Sequence, residues 1–177
     1  MRAFASVAAA AVLAALVYPE LPRYAAERRV GMATAAFREL VQKEHSPDAV
    51  RGILSVGEIA RSAAPQLPGD PRPWMVAASS FLITGAPDRA LELYREGFAT
   101  GERAEIDLNL GRAYALLNKK GSAAAAFLRA GWVNPEILSS LPDSVQNPLR
   151  GEIARLAEQL AQGRLAAPPP LPEDERR

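Results

Sequence analysis

The sequence predicts an all-α protein built as a helical-repeat solenoid, and three observations support this fold class. Apolar residues recur at spacings of three and four, as in amphipathic helices, and no alternating strand pattern of convincing length occurs. Similar residues recur 33 positions apart between residues 71 and 136. Glycines and prolines fall between the expected helices, where they end one helix and begin the next. With 49% hydrophobic and 23% charged residues, the 177-residue chain has the composition of a folded domain.

The N-terminal residues 1–22 have the pattern of a membrane segment. Residues 3–18 form an uncharged run, AFASVAAAAVLAALVY. At a rise of about 1.5 Å per residue, this run spans roughly 24 Å, less than the ~30 Å hydrocarbon core of a bilayer. Leu16, Val17 and Tyr18 occupy the place where a signal-peptide cleavage site would need small residues. We therefore expect an N-terminal apolar helix that acts as an uncleaved single-pass anchor.

The charges on either side of this run give opposing indications of orientation. Arg23, Arg28 and Arg29 follow the run and favour a cytoplasmic body by the positive-inside rule. Arg2 directly before the run is the layout of an export signal. We expect a cell-membrane protein whose body is periplasmic or extracytoplasmic. The alternatives are a cytoplasmic-facing body, a secreted body, and a buried Ala-rich helix of a soluble fold.

The repeat is clearest when residues 71–103 are laid over residues 104–136. The paired residues, each 33 positions apart, are Phe81 with Tyr114, Ala90 with Ala123, Tyr94 with Phe127, and Gly97 with Ala130. The second copy carries Leu110, Gly111, Tyr114, Ala123, Phe127, Ala130 and Pro135. At this spacing these residues resemble the tetratricopeptide repeat (TPR), a pair of antiparallel helices that stacks on its neighbours. The small residue Gly111 is expected where two helices approach most closely.

A degenerate copy over residues 34–67 precedes these two, so the predicted body contains about three TPR-like pairs, at 34–67, 71–103 and 104–137. Its matching residues are Phe37, Leu40, Ile53, Gly57, Ala60 and Pro65. A capping helix is expected over residues 147–162, with Leu149, Ile153, Leu156 and Leu160 on one apolar stripe. The helical domain thus covers residues 23–165. Residues 166–177 are rich in proline and charge and are expected to be disordered.

Residues at the expected helix ends agree with this division of the chain. Gly85 is expected to end one helix and Pro87 to begin the next, with Asn118 ending the corresponding helix of the following copy. Ser46 followed by Pro47 predicts a capped helix start, because a serine side chain accepts a hydrogen bond from the exposed first-turn amides.

Residue patterns of catalysis are missing from the sequence, so we expect a protein that is not an enzyme and uses no cofactor or metal. The chain has no cysteine, and its one histidine, His45, lacks metal-ligand neighbours and is expected on a surface loop. Glu102 and Glu105 are interpreted as solvated turn residues rather than an acid–base pair. The 21 basic residues balance 20 acidic ones, which disfavours nucleic acid as a partner.

The resemblance to TPR proteins implies that a protein or peptide partner binds the concave surface lined by the first helix of each pair. The expected contact residues are Arg38, Gln42, Met75, Ser79, Leu82, Leu108, Asn109, Arg112 and Ala115. The resemblance therefore implies a membrane-tethered adaptor or scaffold, and we expect a role in assembly of a bacterial envelope complex. The alternative is a structural subunit of a membrane complex whose repeat surface is permanently covered.

Overall fold

The computed structural model describes residues 15, 18, 20–43, 46–165 and 167–172, and this part of the chain is helical with no strand. Its seven α-helices are α1 (Glu20–Gln42), α2 (Pro47–Ala63), α3 (Arg72–Ile83), α4 (Pro87–Ala99), α5 (Ala104–Leu116), α6 (Lys120–Val133) and α7 (Asp143–Ala161). Two 3₁₀ segments, Ala64–Gln66 and Pro135–Ser140, follow α2 and α6. The predicted all-α class is confirmed.

The helices pack in the order in which they occur along the chain. Each helix contacts the next one, and α3 also contacts α1 and α5, so alternate helices form a row on one side. The largest core cluster takes buried residues from α3 to α6 and ends on Leu138 and Leu141 beside α7. The described helices therefore stack in sequence order, with α7 packed against α6; we refer to α1–α2, α3–α4 and α5–α6 as the first, second and third pairs, after the predicted repeats.

Two of these pairs turn with the same hydrogen bonds at equivalent positions of the repeat. The amide of Ala86 donates to the carbonyl of Phe81, and the amide of Lys119 donates to the carbonyl of Tyr114, both at 2.9 Å. This hydrogen bond is typical of a helix end at which the residue just before the donor has the left-handed backbone conformation. The turns that follow α3 and α5 thus have the same backbone hydrogen bond at corresponding positions.

The predicted helix ends are confirmed where the chemistry is local. Gly85 and Asn118 have φ angles of +82° and +58°, the left-handed conformation that glycine and asparagine adopt most readily. Pro87 begins α4, and Pro47 is the first residue of α2. The Ser46 side chain accepts a hydrogen bond from the Ala49 amide at 3.2 Å.

A close helix approach is present at Gly111, as predicted. A β-carbon built on Gly111 would lie 2.4 Å from the aromatic ring of Phe127 on α6, far inside van der Waals contact. Ala78, at the equivalent position of the preceding pair, is fully buried. The rings of Tyr94 and Tyr114 are also fully buried and fill the space between successive helices. Small and large residues therefore alternate through the core.

Helix α1 is longer than the first helix of the predicted degenerate repeat, because it begins at Glu20 rather than near residue 34. Its early residues Ala26 and Val30 are buried against Ala63 and Leu67 from the end of the α2 region. Apolar positions therefore continue along the inner face of α1 ahead of the repeat and extend the helix toward the N-terminus.

The terminal helix α7 begins at Asp143, so the prediction that it starts at residue 147 is wrong. Gln146 is buried in its first turns, and its side-chain amide donates to the carbonyls of Leu138 and Leu141 at 3.0 and 3.4 Å. These bonds attach the early turns to the 3₁₀ segment. Pro148 is accommodated inside the helix rather than at its start.

The segment 167–172 packs on the helical body, whereas the sequence predicts a disordered tail from residue 166. Pro169 and Pro172 are buried, and an Arg129 guanidinium nitrogen on α6 donates to the carbonyl of Pro169. Gly163, with φ of +67°, ends α7 and turns the chain back. Buried proline rings and a charged donor thus overcome the compositional tendency to disorder.

Three sequence predictions concern residues outside the described part of the chain. They are the anchor over residues 3–18, apart from residues 15 and 18, the surface position of His45, and the tail at residues 166 and 173–177. Within the described ranges, no helix combines the length and the apolar character needed to cross a bilayer.

Candidate functional site

An open groove of about 780 Å³ runs beside the row formed by α1, α3 and α5. Its walls are largely apolar and include Phe37 from α1, Leu82 and Ile83 from α3, Leu116 from α5, and Val145 from α7. Leu116 and Ile83 are 62% and 37% exposed, so apolar surface remains available there. Helices from all three pairs and the terminal helix therefore contribute to one surface.

Five of the nine residues predicted from the sequence line this groove. They are Ser79, Leu82, Asn109, Arg112 and Ala115. All five lie on α3 and α5, the first helices of the second and third pairs. Because these helices contact each other directly, their exposed faces form a continuous wall.

The other four predicted residues lie elsewhere. Arg38 and Gln42 are exposed on α1 but do not line the groove, and Met75 is half-buried against the main core. The expectation that Leu108 is exposed on the concave face is wrong, because this side chain is only 5% exposed and belongs to the core. Helix α5 contacts α3, α4, α6 and the second 3₁₀ segment. More of its surface therefore faces the core than the repeat pattern implies.

Arg112 places a positive charge in the groove without a carboxylate to balance it. Its guanidinium donates to Asn109 Oδ1 at 3.0 Å and to Ser140 Oγ at 3.0 Å, both neutral acceptors. Among the described residues, Arg112 forms no ion pair. The side chain is therefore held in place by its neutral partners while its charge remains available to a ligand.

A second polar contact lies in the floor of the groove. Ser79 Oγ and the Tyr94 hydroxyl are 2.8 Å apart, and Tyr94 is fully buried. Burial raises the pKa of Tyr94 to about 12, against smaller opposing effects from Ser79 and Arg112. The Tyr94 hydroxyl therefore stays protonated, and a hydrogen bond joins it to the Ser79 hydroxyl, which leaves a neutral polar patch beside Arg112.

The sequence did not predict several groove residues: Ile83 and Leu116 are the last residues of α3 and α5, and others lie outside the first helices of the repeats. Tyr94 and Phe127 carry the repeat signature and were not among the predicted contact residues, but the structure shows them lining the groove. Ser140 and Val145 follow the last repeat and reach the groove because the second 3₁₀ segment contacts α5 and α7 packs against α6. No local sequence signal marks these contacts.

A second depression of about 440 Å³ adjoins the groove between α6 and the start of α7. It shares Ala115, Phe127 and Val145 with the groove and adds Leu149 and Lys120. The two depressions therefore form a continuous apolar surface that is longer than the groove alone.

A cluster of charged residues lies where the loop before α5 meets α6. Arg129 forms an ion pair with Glu102, and Asp107 on α5 is fully buried beside them. Neither carboxyl oxygen of Asp107 accepts a hydrogen bond from a described donor. Burial raises the pKa of Asp107 to about 7, assisted by the negative charge of Glu102 and opposed by Arg129. A protonated Asp107 can instead donate to Glu102, whose own pKa the Arg129 guanidinium holds below its usual range.

No protein-family model, curated protein or solved structure matches this chain. Within the described residues, no group of three or more His, Cys, Asp or Glu side chains is arranged to hold a metal ion.

Proposed function

We propose that this protein is a membrane-tethered TPR-type adaptor that binds a segment of a partner protein in the groove between α3, α5 and α7. The proposal of a TPR-type stack is supported by the equivalent turns at Ala86 and Lys119 and by the close contact at Gly111. A stack of this kind leaves one face of its first helices uncovered, and such concave surfaces are used for binding.

The observation that carries the proposal is an uncompensated arginine within an apolar groove. Apolar walls at Leu82, Ile83 and Leu116 would bury the apolar side chains of a ligand, and the release of water from that surface favours binding. Arg112 would select a ligand with a carboxylate at a matching position. The best-fitting partner is therefore an amphipathic segment with apolar residues on one face and an acidic residue beside them.

We expect substitution of groove residues to lower the affinity for the partner without unfolding the protein. Arg112→Gln removes the charge, and Leu116→Ser removes exposed apolar surface. Truncation of a residue at the centre of an interface typically lowers the binding free energy by about 2 kcal/mol or more, which corresponds to roughly a thirtyfold loss of affinity. The measurement is a crosslinked pull-down of each variant from intact cells, with circular dichroism to verify folding.

Matched controls lie on helix α2, away from the groove. Ile59→Ser removes an apolar side chain that is 44% exposed, and Arg51→Gln removes a solvated charge. Both controls are expected to retain every partner at the wild-type level. Retention of all partners by the two groove variants as well would rule out the groove as the binding surface.

We further propose that residues 3–18 hold the protein at a membrane, with the body on the extracytoplasmic side. The support is the uncharged run over these residues without a suitable cleavage site. The expected result is full-length protein in the membrane fraction, resistant to extraction by high salt. Mature protein whose N-terminal sequence begins beyond Tyr18 would show instead that the segment is removed.

A further inference from the structure

The C-terminal segment 168–172 sits on the body in a regular pattern. Pro169 and Pro172 are buried, while Pro168 and Pro170 are exposed. Consecutive prolines favour the polyproline II helix, which has three residues per turn, so positions 169 and 172 share a face. The body therefore contacts the edge of this segment that carries Pro169 and Pro172, and Pro168 and Pro170 remain in solvent.

Arg129 holds this segment through its backbone. One terminal nitrogen of its guanidinium donates to the Pro169 carbonyl, while the remaining nitrogens pair with the Glu102 carboxylate, at 2.7 Å for Nη2. The side chains of Arg129 and Glu102 are only 14% and 28% exposed, and their ion pair joins α6 to the loop before α5. Proline carbonyls lack the internal hydrogen bonds of an α-helix, so this fixed donor supplies a partner that an extended proline segment needs.

We propose that this surface is a second binding site, whose ligands are extended Pro-x-x-Pro segments of partner proteins. The chain's own residues 168–172 are its resident intramolecular ligand. The Arg129 guanidinium recognises the ligand's backbone by donating to a carbonyl, and the two positions that bury proline rings select prolines spaced three residues apart. Polyproline segments suit such a site because their helix is preformed, so that little conformational entropy is lost on binding.

The resident tail controls access to this surface. It is joined to α7 through Gly163 and Arg164, and the backbone amide of Arg164 donates to the Gln159 carbonyl at 2.8 Å. Because this tether is short, the tail competes with a partner segment at a high effective concentration. For short tethers this concentration is in the millimolar range. A partner segment therefore binds weakly while the tail is docked and more tightly when the tail is disabled.

The test uses the complete chain with substitutions confined to the tail. Pro169→Ala with Pro172→Ala removes the two buried rings, and Pro168→Ala with Pro170→Ala is the matched control at exposed positions. The probe is a fluorescein-labelled peptide AAPPPLPEDE, which has the sequence of residues 166–175. Binding is followed by fluorescence anisotropy.

We expect the peptide to bind the chain with the disabled tail about tenfold or more tightly than the wild type or the control. Adding Arg129→Lys, which keeps the charge but loses the planar fork, should abolish most of this gain, with circular dichroism verifying the fold. Equal binding to all chains, or no binding to the chain with the disabled tail, would overturn the proposal. Wild-type dimers that exchange tails would overturn it in favour of a second copy as the occupant.

Discussion

Replacement of Gly111 by leucine is expected to lower the stability of the protein strongly. Even a β-carbon at this position would lie 2.4 Å from the ring of Phe127, a residue that is only 7% exposed, so the ring or the helix that carries it must shift. Overpacking of a core typically costs about 1–3 kcal/mol, and the larger leucine side chain should lie at or above the upper end. Thermal and urea unfolding of the helical signal measure the effect.

A matched control separates crowding from the change in helix propensity. Gly151 lies inside α7, and no atom lies within 4 Å of the place that a β-carbon would take there, so Gly151→Leu should be neutral or slightly stabilising. Combining Gly111→Ala with Phe127→Leu should recover part of the stability lost by Gly111→Ala alone, because the smaller side chain vacates the contact. Unchanged stability of Gly111→Leu would show that α5 and α6 do not approach as described.

Substitution of Asp107 by asparagine is expected to change how stability depends on pH. Because the pKa of this buried carboxyl rises from 3.8 to about 7 on folding, the folded state retains a proton that the unfolded state releases. Stability of the wild type should therefore fall as pH rises from about 4 to about 7 and then level off. The expected loss is of the order of 2–4 kcal/mol at pH 8. Asparagine avoids it, because its neutral amide can still donate to Glu102.

The difference in unfolding free energy between Asp107→Asn and the wild type should thus grow across that pH range. The Glu102–Arg129 pair is present in both proteins, so only the part of its titration that depends on Asp107 remains in this difference. Glu96→Gln, at an exposed position on α4, is the control and should leave the wild-type slope unchanged. Parallel pH profiles for Asp107→Asn and the wild type would contradict the burial of a protonated carboxyl.

The features that could be predicted from the sequence depend on neighbouring residues along the chain. Ser46 with Pro47 specifies a helix start, and Gly85 and Asn118 specify left-handed helix ends, whatever surrounds them. The regular spacing between the two clearest copies likewise predicted which residues of successive pairs are equivalent, because the same turn is made twice. The same spacing predicted five of the groove residues, because α3 and α5 occupy equivalent places in the predicted repeat and present equivalent faces.

The features that could not be predicted depend on contacts between distant segments. Leu108 is buried because several elements surround α5, and α7 starts early because Gln146 bonds to carbonyls of the preceding 3₁₀ segment. The tail docks because Arg129 is held by Glu102 at the right place, which composition alone does not reveal. In the sequence, Asp107 looks like an ordinary polar residue of a first helical turn. Its burial is evident only from its neighbours in the fold.

The binding role of the groove is tested most directly by photocrosslinking from within it. A photoreactive residue at position 116 would sit on the groove wall, and one at position 59 would sit on the exposed face of α2. We expect a partner adduct from position 116 that disappears when Arg112→Gln is added, and no such adduct from position 59. An adduct from position 59 alone would contradict the assignment of the groove as the partner site, and an adduct from position 116 that persists with Arg112→Gln would contradict the role given to the Arg112 charge.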